Sequence, residues 1–473
     1  MQNSLCFCRR CPARTDHCSM TEMESPTTRT VPGSTSGMAG GSGFGGNSGA
    51  EGFSPMRAVL GGGFLAASWT WCIGMFLPVY LLRDYGVPGL LAFAVPNVIG
   101  AMAFAFFFPT PESSRRFVAR CAPAMRLFSF VTLAFQWFFA VWLAYSSGIM
   151  GGRAIIGVGG FALMAILVLI PLASWSNIKR VSGLSGVYTV ASTATLISIL
   201  LALAWIGHDS SVLDIARRIK DVGPPKFTLS DAMSLVPACV LGFLCSPLLD
   251  PTFHRVRQDL PGATGTMAFV GGFGILFSMI LGITLLYAPL VLKDAGMGLP
   301  GPSSLPAFLV FHVAIQLAIT ITLHERSWPT GATLSQGVSV GSSRDPLRMD
   351  DPPISGAGTG AMLLGVVLYF CTMLVAIRTP LGLNSERMYM GFLSFFAVFV
   401  PAFVIASLVN PRAQVSHRVG LALLTGAAAG YFYYDGFILK EPDSLIYGSA
   451  IVLLMPGLVG LALPRVPTPL ERV

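Results

Sequence analysis

Polar and aromatic side chains that could bind a small solute lie inside two apolar segments, 58–80 and 229–249, which glycine and proline interrupt. These side chains are Ser68, Trp69, Thr70, Trp71, Cys245 and Ser246. An interrupted helix frees backbone N–H and C=O groups, which a membrane tolerates only beside protein or a water-filled cavity. Interruptions at matching positions therefore predict a solute-binding site near the middle of the membrane. The alternative is that glycine and proline are simply common in membrane helices.

Five more residues could act in or beside the apolar segments. Gln136, in a third segment, could join the solute site. His312 is the deepest ionisable residue and lies one turn from Gln316, so it could carry a proton or remain a neutral buried imidazole. Asp250 ends the segment 229–249, where we expect an ion pair or a helix cap at the cytoplasmic edge, ahead of a gate. His324 closes another segment and indicates an interfacial charge cluster.

Enzyme and metal chemistry find no support in the sequence. The motifs His-Glu-x-x-His, Gly-x-Ser-x-Gly and the phosphate-binding loop do not occur, so we predict no catalytic residue, no enzyme and no cofactor. Four cysteines crowd the N-terminus beside His17, but their spacing fits no structural zinc site, so we predict no metal site. These cysteines are Cys6, Cys8, Cys11 and Cys18.

Composition predicts an all-α polytopic membrane protein. The chain is 53% hydrophobic and 11% charged, with a mean hydropathy of +0.69, which excludes an ordinary soluble domain. About 12 apolar segments are long enough to cross a bilayer as helices. They are 58–80, 88–109, 122–146, 153–175, 184–207, 229–249, 266–293, 305–324, 357–378, 387–409, 417–435 and 444–463.

The order of these segments predicts two inverted five-helix repeats followed by two appended helices. An odd number of crossings separates the starts of the two repeats, so the repeats have opposite topology. The parts are a disordered tail 1–56, the first repeat 57–207, an external loop 208–228, the second repeat 229–409 with a cytoplasmic loop 325–356, and the appended helices and C-terminal tail 410–473.

The distribution of lysine and arginine predicts the orientation of the chain in the membrane. With twelve crossings both termini lie on one side, and most of the 30 lysines and arginines fall on that side. Positive charge marks the cytoplasmic face, so we expect both termini in the cytoplasm and the chain in the plasma (inner) membrane. The net charge of +8 thus reports topology and gives no reason to expect a nucleic-acid partner. The expected partners are the lipid bilayer and a small solute, and the sequence does not indicate an oligomeric state.

Three stretches resemble the sodium/solute symporter family, a branch of the amino acid–polyamine–organocation superfamily. AASWTWCIGM (66–75) is similar to the family's first core helix, and SRRFVARCAPAMRLFS (114–129) to the lead-in to its third. LGFLCSPLLDPTFHR (241–255) is similar to the broken sixth helix and the basic loop after it. The resemblance covers about residues 58–293. It implies the leucine-transporter type of fold, in which two inverted five-helix repeats bind solute and ion at unwound helices.

The resemblance also implies a sodium site. Its ligands would be backbone carbonyls near Phe64 and Ala67 in the first helix and hydroxyl groups in the eighth, where this chain offers Thr320 and Thr322. The family carries an adjacent hydroxyl pair there, whereas these two threonines are two positions apart. On a helix they point about 200° apart and cannot both face one ion.

The function predicted from the sequence is secondary active transport of a small organic solute by alternating access. The coupling ion would be sodium or, as the alternative, a proton. The alternative is a sensor or scaffold that keeps the symporter fold but no longer transports. No acidic side chain lies in the middle of the segments 58–80 and 229–249, so nothing favours an amine, and a neutral or a carboxylate solute remains open.

Overall fold

The computed structural model describes residues 53–70, 72–146, 215–293, 355–378 and 385–465, and most of 188–200 and 316–324. The described elements are helices, and one isolated bridge joins Ala413 to Arg465. The helices are α1 (Pro55–Trp69), α2 (Cys72–Phe107), α3 (Pro111–Ser146), α4 (Ile215–Asp221), α5 (Leu229–Leu249), α6 (Pro251–Asp259), α7 (Gly262–Gly271), a π-helical turn (Gly272–Phe277), α8 (Ser278–Lys293), α9 (Ser355–Arg378), α10 (Ser385–Val409), α11 (Val415–Phe437) and α12 (Ser444–Ala462). The 188–200 and 316–324 segments are helical where described.

The chain is an all-α polytopic membrane protein, as its composition predicts. Within the described ranges, six helical stretches are long and apolar enough to cross a membrane. They are Ile73–Phe107, Pro111–Trp142, Leu229–Leu249, Gly262–Pro289, Glu386–Val409 and Ser444–Ala462. The predicted division of the chain into repeats, loops and tails stays a prediction.

The helix α2 joins two predicted segments through Gly86. This glycine has a φ of +65°, so the residues 72–85 and 87–107 form two helices that meet at a kink. A positive φ of this size strains any residue with a Cβ atom, which is why glycine is needed there.

Two predicted loops are in fact helical. The residues 110–121 belong mostly to α3, which begins at Pro111, and the loop expected after Leu249 contains α6. Proline suits the first turn of a helix because its missing N–H needs no partner there, and both helices begin with one. Counting apolar residues misses such helices because their sequences are polar.

Close backbone approach at Gly100 packs α2 against α5 and gives a test of the fold. A Cβ atom at this position would lie 2.5 Å from the carbonyl oxygen of Phe243. We expect Gly100→Ala to lower the free energy of unfolding by about 1–3 kcal/mol, as overpacking usually does. The matched control is Gly282→Ala, where nothing lies within 4 Å of the new Cβ atom. Thermal unfolding in detergent measures both, and equal stability of the two variants would contradict this packing.

Candidate solute and cation site

The first interruption separates α1 from α2 and is held by hydroxyl groups. Thr70 leaves the helical conformation with φ −80° and ψ 58°. Its backbone N–H and its hydroxyl both donate to the carbonyl of Ala66, at 2.9 and 2.5 Å, and the hydroxyl of Ser68 donates to the carbonyl of Leu65 at 3.0 Å. These bonds satisfy carbonyls that would otherwise lack a partner at the helix end. The break therefore falls within the predicted Ser68–Trp71 stretch.

The second interruption separates α5 from α6 at Asp250. This residue is extended, with φ −79° and ψ 114°, and caps α6. Its Oδ1 accepts hydrogen bonds from the backbone N–H and the hydroxyl of Thr252, at 2.8 and 2.7 Å. An acidic N-cap followed by proline is a strong helix start, and proline also disfavours the helical conformation at the residue before it. The sequence therefore breaks the helix here.

The position of this break corrects the sequence prediction. Pro237, Gly242 and Pro247 were expected to interrupt the segment, but all three lie inside the continuous helix α5. A proline within a helix removes one backbone hydrogen bond, and neighbouring helices can accommodate that loss in a membrane. At the end of α5 the backbone N–H of Asp250 instead donates to the carbonyl of Pro247, and the carboxylate of Asp250 caps the start of α6.

The two interruptions contact each other. The hydroxyl of Thr252 lies 3.1 Å from that of Ser68, and the ring of Phe253 packs edge-on against Trp69 at 5.0 Å. We call this region, formed by 66–70 and 250–253, the junction. It brings the ends of four helices, α1, α2, α5 and α6, to one place, as expected for a site built from broken helices.

An acid and an imidazole face each other at the junction. The Oδ2 of Asp250 lies 3.9 Å from Nε2 of His324, and both side chains are fully buried. The same Oδ2 has no hydrogen-bond partner among the described residues. The cap predicted at Asp250 is confirmed, and its placement at the cytoplasmic edge of the membrane stays a prediction. The interfacial placement of His324 likewise stays a prediction.

Two of the predicted sodium ligands meet at the junction. The hydroxyl of Thr320 lies 2.8 Å from the carbonyl oxygen of Ala67 and 2.8 Å from that of Gln316. Phe64 lies on α1, where its buried ring packs edge-on against Tyr188 at 4.8 Å. Thr322 and His312 lie outside the described residues.

The predicted solute-site residues have different surroundings. The indole N–H of Trp69 donates to Asn97 at 2.7 Å, so this side chain fixes α1 to α2. Cys245 and Ser246 are buried in α5, and Gln136 is buried in α3. Ser246 and Gln136 lack hydrogen-bond partners for their side chains among the described residues. Trp71 lies outside the described residues.

Charged clusters lie on either side of the junction along the chain. The Arg83 cluster joins α2 to α10, because Arg83 binds Glu386 at 2.7 Å and the neighbouring Asp84 at 2.7 Å. Two lysines complete it: Lys440 lies within 3.5 Å of both acids, and Lys226 lies 3.2 Å from Asp84. Arg83 is 13 positions beyond Thr70, which places the cluster about 20 Å away along a helix.

A second group of charged residues, the Asp259 cluster, lies at the end of α6. The carboxylate of Asp259 binds Arg255 at 2.7 Å and accepts a hydrogen bond from the hydroxyl of Tyr188 at 2.7 Å. The backbone carbonyl of Asp259 accepts from Arg57 at 3.1 Å. This cluster therefore joins α1, α6 and the 188–200 segment.

An apolar cleft lies between the Arg83 cluster and the junction. It has a volume of about 460 Å³, including its open part, and helices α2, α5, α10 and α11 form its walls. Its lining includes Ile73, Leu81, Cys239, Met390 and Phe437. Because Ile73 lies next to the first interruption and Leu81 next to Arg83, the cleft follows a line from the cluster towards the junction.

Comparison with known proteins gives a distant structural likeness. No family model matches the chain, and no curated protein matches it in sequence. Among solved structures, a Na⁺-coupled sialic acid symporter in a substrate-bound outward-open state is similar, with 12% identity and a TM-score of 0.45. The match covers 87% of this chain and 91% of the symporter. At this level of similarity the likeness assigns neither an ion nor a solute to this chain.

Proposed function

We propose that the chain is a secondary active transporter that moves a small organic solute by alternating access and couples this movement to a cation. One observation carries the proposal: two interrupted helices meet around Asp250 and His324, which are fully buried. Ionisable side chains are costly inside a membrane and generally mark ion pathways. Broken helices at the same place supply the polar backbone groups that bind solutes in transporters.

A proton is the cation that suits this pair best. Imidazole and carboxylate groups both accept protons, and histidine changes charge near physiological pH. Hard metal cations such as sodium prefer a shell of oxygen ligands, which His324 cannot supply. The carboxylate oxygen Oδ2 of Asp250 has no other partner among the described residues, so it is the acceptor that a transported proton would reach.

Sodium is the second candidate, because the structure brings Ala67 and Thr320 together. Their carbonyl and hydroxyl oxygens belong to the ligand set implied by the family resemblance. The two oxygens lie 2.8 Å apart, a hydrogen-bond distance, so sodium binding would require the hydroxyl proton to turn away. A sodium-dependent rise in melting temperature at constant ionic strength, lost in Thr320→Ala, would favour sodium over the proton.

The charged clusters fit the two gates that alternating access needs. Opening the Arg83 cluster would extend the apolar cleft to the junction from one side. Opening the Asp259 cluster would release α1 and α6, whose ends form the junction, from the other. The Arg255–Asp259 pair is 5% exposed on each side and Asp84 is 3% exposed, so opening either cluster requires water to enter and hydrate the separated charges.

Neutralising Glu386 should open the cleft. Glu386→Gln removes an ion-pair partner of Arg83 and of Lys440. The Arg83 cluster should therefore break more often and expose the apolar cleft. We expect maleimide to label Cys239, which lines the cleft, about fivefold faster, the factor that corresponds to about 1 kcal/mol. The matched control is Glu112→Gln, which breaks an exposed ion pair on α3. Mass spectrometry reads the labelling site by site, and equal rates in both variants would contradict a gate at this cluster.

Charge movement in reconstituted vesicles tests the proposed function directly. On a solid-supported membrane, addition of a transported solute should produce a transient current because the cation crosses with it. We expect such currents in sodium-free buffer, and we expect them to disappear in Asp250→Asn. The control is Asp221→Asn, which changes an exposed carboxylate on α4. Solute binding without any current or flux would instead support the transport-inactive sensor that the sequence left open.

A further inference from the structure

Helix α3 carries a buried stripe of polar side chains that have no hydrogen-bond partner among the described residues. Ser129, Thr132 and Gln136 are spaced three and four positions apart, so they share one face of the helix. All three are fully buried. Neither the two hydroxyls nor either amide atom of Gln136 has a hydrogen-bond partner in the part of the chain that the structure describes. A helix in an apolar environment gains nothing from such groups unless something binds them.

The stripe runs antiparallel to the 316–324 segment. The ring of Phe128 lies 6.4 Å from that of His324, and Leu133 packs in one apolar cluster with Ile321. Later residues of α3 therefore meet earlier residues of the segment. Because both helices rise 1.5 Å per residue, Gln136 lies at the level of Gln316.

Gln316 has the same unsatisfied character. Its side chain is fully buried, and neither amide atom has a hydrogen-bond partner among the described residues. It precedes Thr320 by one turn on the same face, and Thr320 contacts the carbonyl of Ala67 at the junction. Gln316 therefore lies one turn from the junction, on the face that is turned towards it.

A third element contributes Ser246. It precedes Asp250 by one turn of α5, is 2% exposed, and its hydroxyl has no partner within the described ranges. Unsatisfied polar groups from α3, α5 and the 316–324 segment thus approach the junction together. Buried polar groups are nearly always hydrogen-bonded in folded proteins, so such a concentration indicates a ligand.

From this arrangement we infer that the transported solute is neutral and rich in hydroxyl groups, such as a polyol or a monosaccharide. This inference rests on the proposed function. Carboxamides and hydroxyls both donate and accept hydrogen bonds without carrying charge, which matches a solute that does the same. Arg126 precedes Ser129 by three positions but lies ten positions, about 15 Å along the helix, from Gln136. Asp250 and His324 are assigned to the cation. An anionic solute would need a fixed cation at the level of Gln136 and Gln316, and the described residues there supply none.

The first experiment needs no knowledge of the solute. Gln136→Met and Gln316→Met replace each amide by an apolar group of similar length. Removing an unsatisfied buried polar group is neutral or stabilising, so we expect melting temperatures equal to or above that of the wild type. The matched control is Gln258→Met, because the amide of Gln258 donates to Ser114 at 3.0 Å, and its loss should lower the melting temperature. Melting temperatures of Gln136→Met and Gln316→Met as low as that of the control would show a structural role and overturn the inference.

The second experiment tests the solute class. We expect myo-inositol or glucose to raise the melting temperature of the purified wild type, whereas glutamate and choline should not. In Gln136→Met and Gln316→Met the apparent affinity should fall by about tenfold to a hundredfold. No shift with either neutral solute, a shift with a charged one, or an unchanged affinity in both variants would overturn the inference. Binding that persists in Asp250→Asn while currents vanish separates solute recognition from coupling, so the two proposals can fail independently.

Discussion

Replacing Asp250 by asparagine is expected to abolish concentrative solute uptake while leaving exchange of solute across the membrane intact. The carboxylate is the only group of the Asp250–His324 pair that can carry a negative charge, and an amide of the same shape cannot bind a proton. A transporter that can no longer load its cation cannot convert the cation gradient into solute accumulation. It can still bind solute and alternate between its two open states.

The fold should survive this substitution. The oxygen of the new amide can accept the hydrogen bonds that the backbone N–H and the hydroxyl of Thr252 now donate, so the cap of α6 is preserved. Asparagine is also as good an N-cap as aspartate. We expect solute accumulation in proteoliposomes to fall by about a hundredfold. This factor is near the upper end of the range for coupling between two binding sites. The variant Asp250→Ala, which also loses the cap, should in addition unfold more easily, by about 1 kcal/mol.

Replacing Arg257 by methionine should cause a large loss of stability. Its side chain is 2% exposed and donates to three backbone carbonyls, those of Phe108, Pro109 and Gly262. These carbonyls lie at the end of α2 and the start of α7, so one guanidinium joins α6 to both helices. Methionine fills a similar volume but removes this donor from the carbonyls of Phe108 and Pro109, while the carbonyl of Gly262 keeps a hydrogen bond from the hydroxyl of Thr266.

We expect Arg257→Met to lower the free energy of unfolding by about 2–5 kcal/mol, since each buried carbonyl that loses its donor costs about 1–3 kcal/mol. The matched control is Arg115→Met on α3, where the ion pair with Glu112 is exposed and should contribute less than about 1 kcal/mol. Thermal or denaturant unfolding of both variants in the same detergent measures the difference. A loss below about 1 kcal/mol for Arg257→Met would show that the guanidinium does not hold these helices together.

Much of the helical framework was accessible from the sequence because membrane helices are long apolar runs. The segment predicted at 229–249 coincides with Leu229–Leu249, and the break near Ser68–Thr70 lies where glycine, hydroxyl and tryptophan residues concentrate. These features are local, so periodicity and composition report them.

The helix α6 was missed because its polar residues are satisfied by distant partners. His254 bonds Ser114 and the carbonyl of Leu248, each at 2.9 Å, and Gln258 also bonds Ser114. Hydropathy counts these residues as a loop, since it cannot include contacts made 140 positions away. The available signal was the Asp250–Pro251 pair, an N-cap followed by proline, which predicts a helix start where the apolar run ends.

The pairing of Asp250 with His324 lay beyond sequence reasoning for the same reason. Both residues end apolar segments, and charged residues at such ends usually lie at the membrane surface. Only the return of the chain through α6 places Asp250 in the interior, where the 316–324 segment brings His324 against it. Two charges at helix ends can therefore be read from the sequence as separate although the fold brings them within 3.9 Å of each other.

Proton entry during solute uptake is the most direct measurement of the central claim, that Asp250 carries the coupling cation. Proteoliposomes that contain a pH-sensitive dye are placed in sodium-free buffer, and a transported solute is added outside. We expect the lumen to acidify in step with solute uptake in the wild type and in Asp221→Asn, and to stay unchanged in Asp250→Asn. Acidification that persists in Asp250→Asn, or solute accumulation that requires sodium and moves no protons, would contradict this assignment.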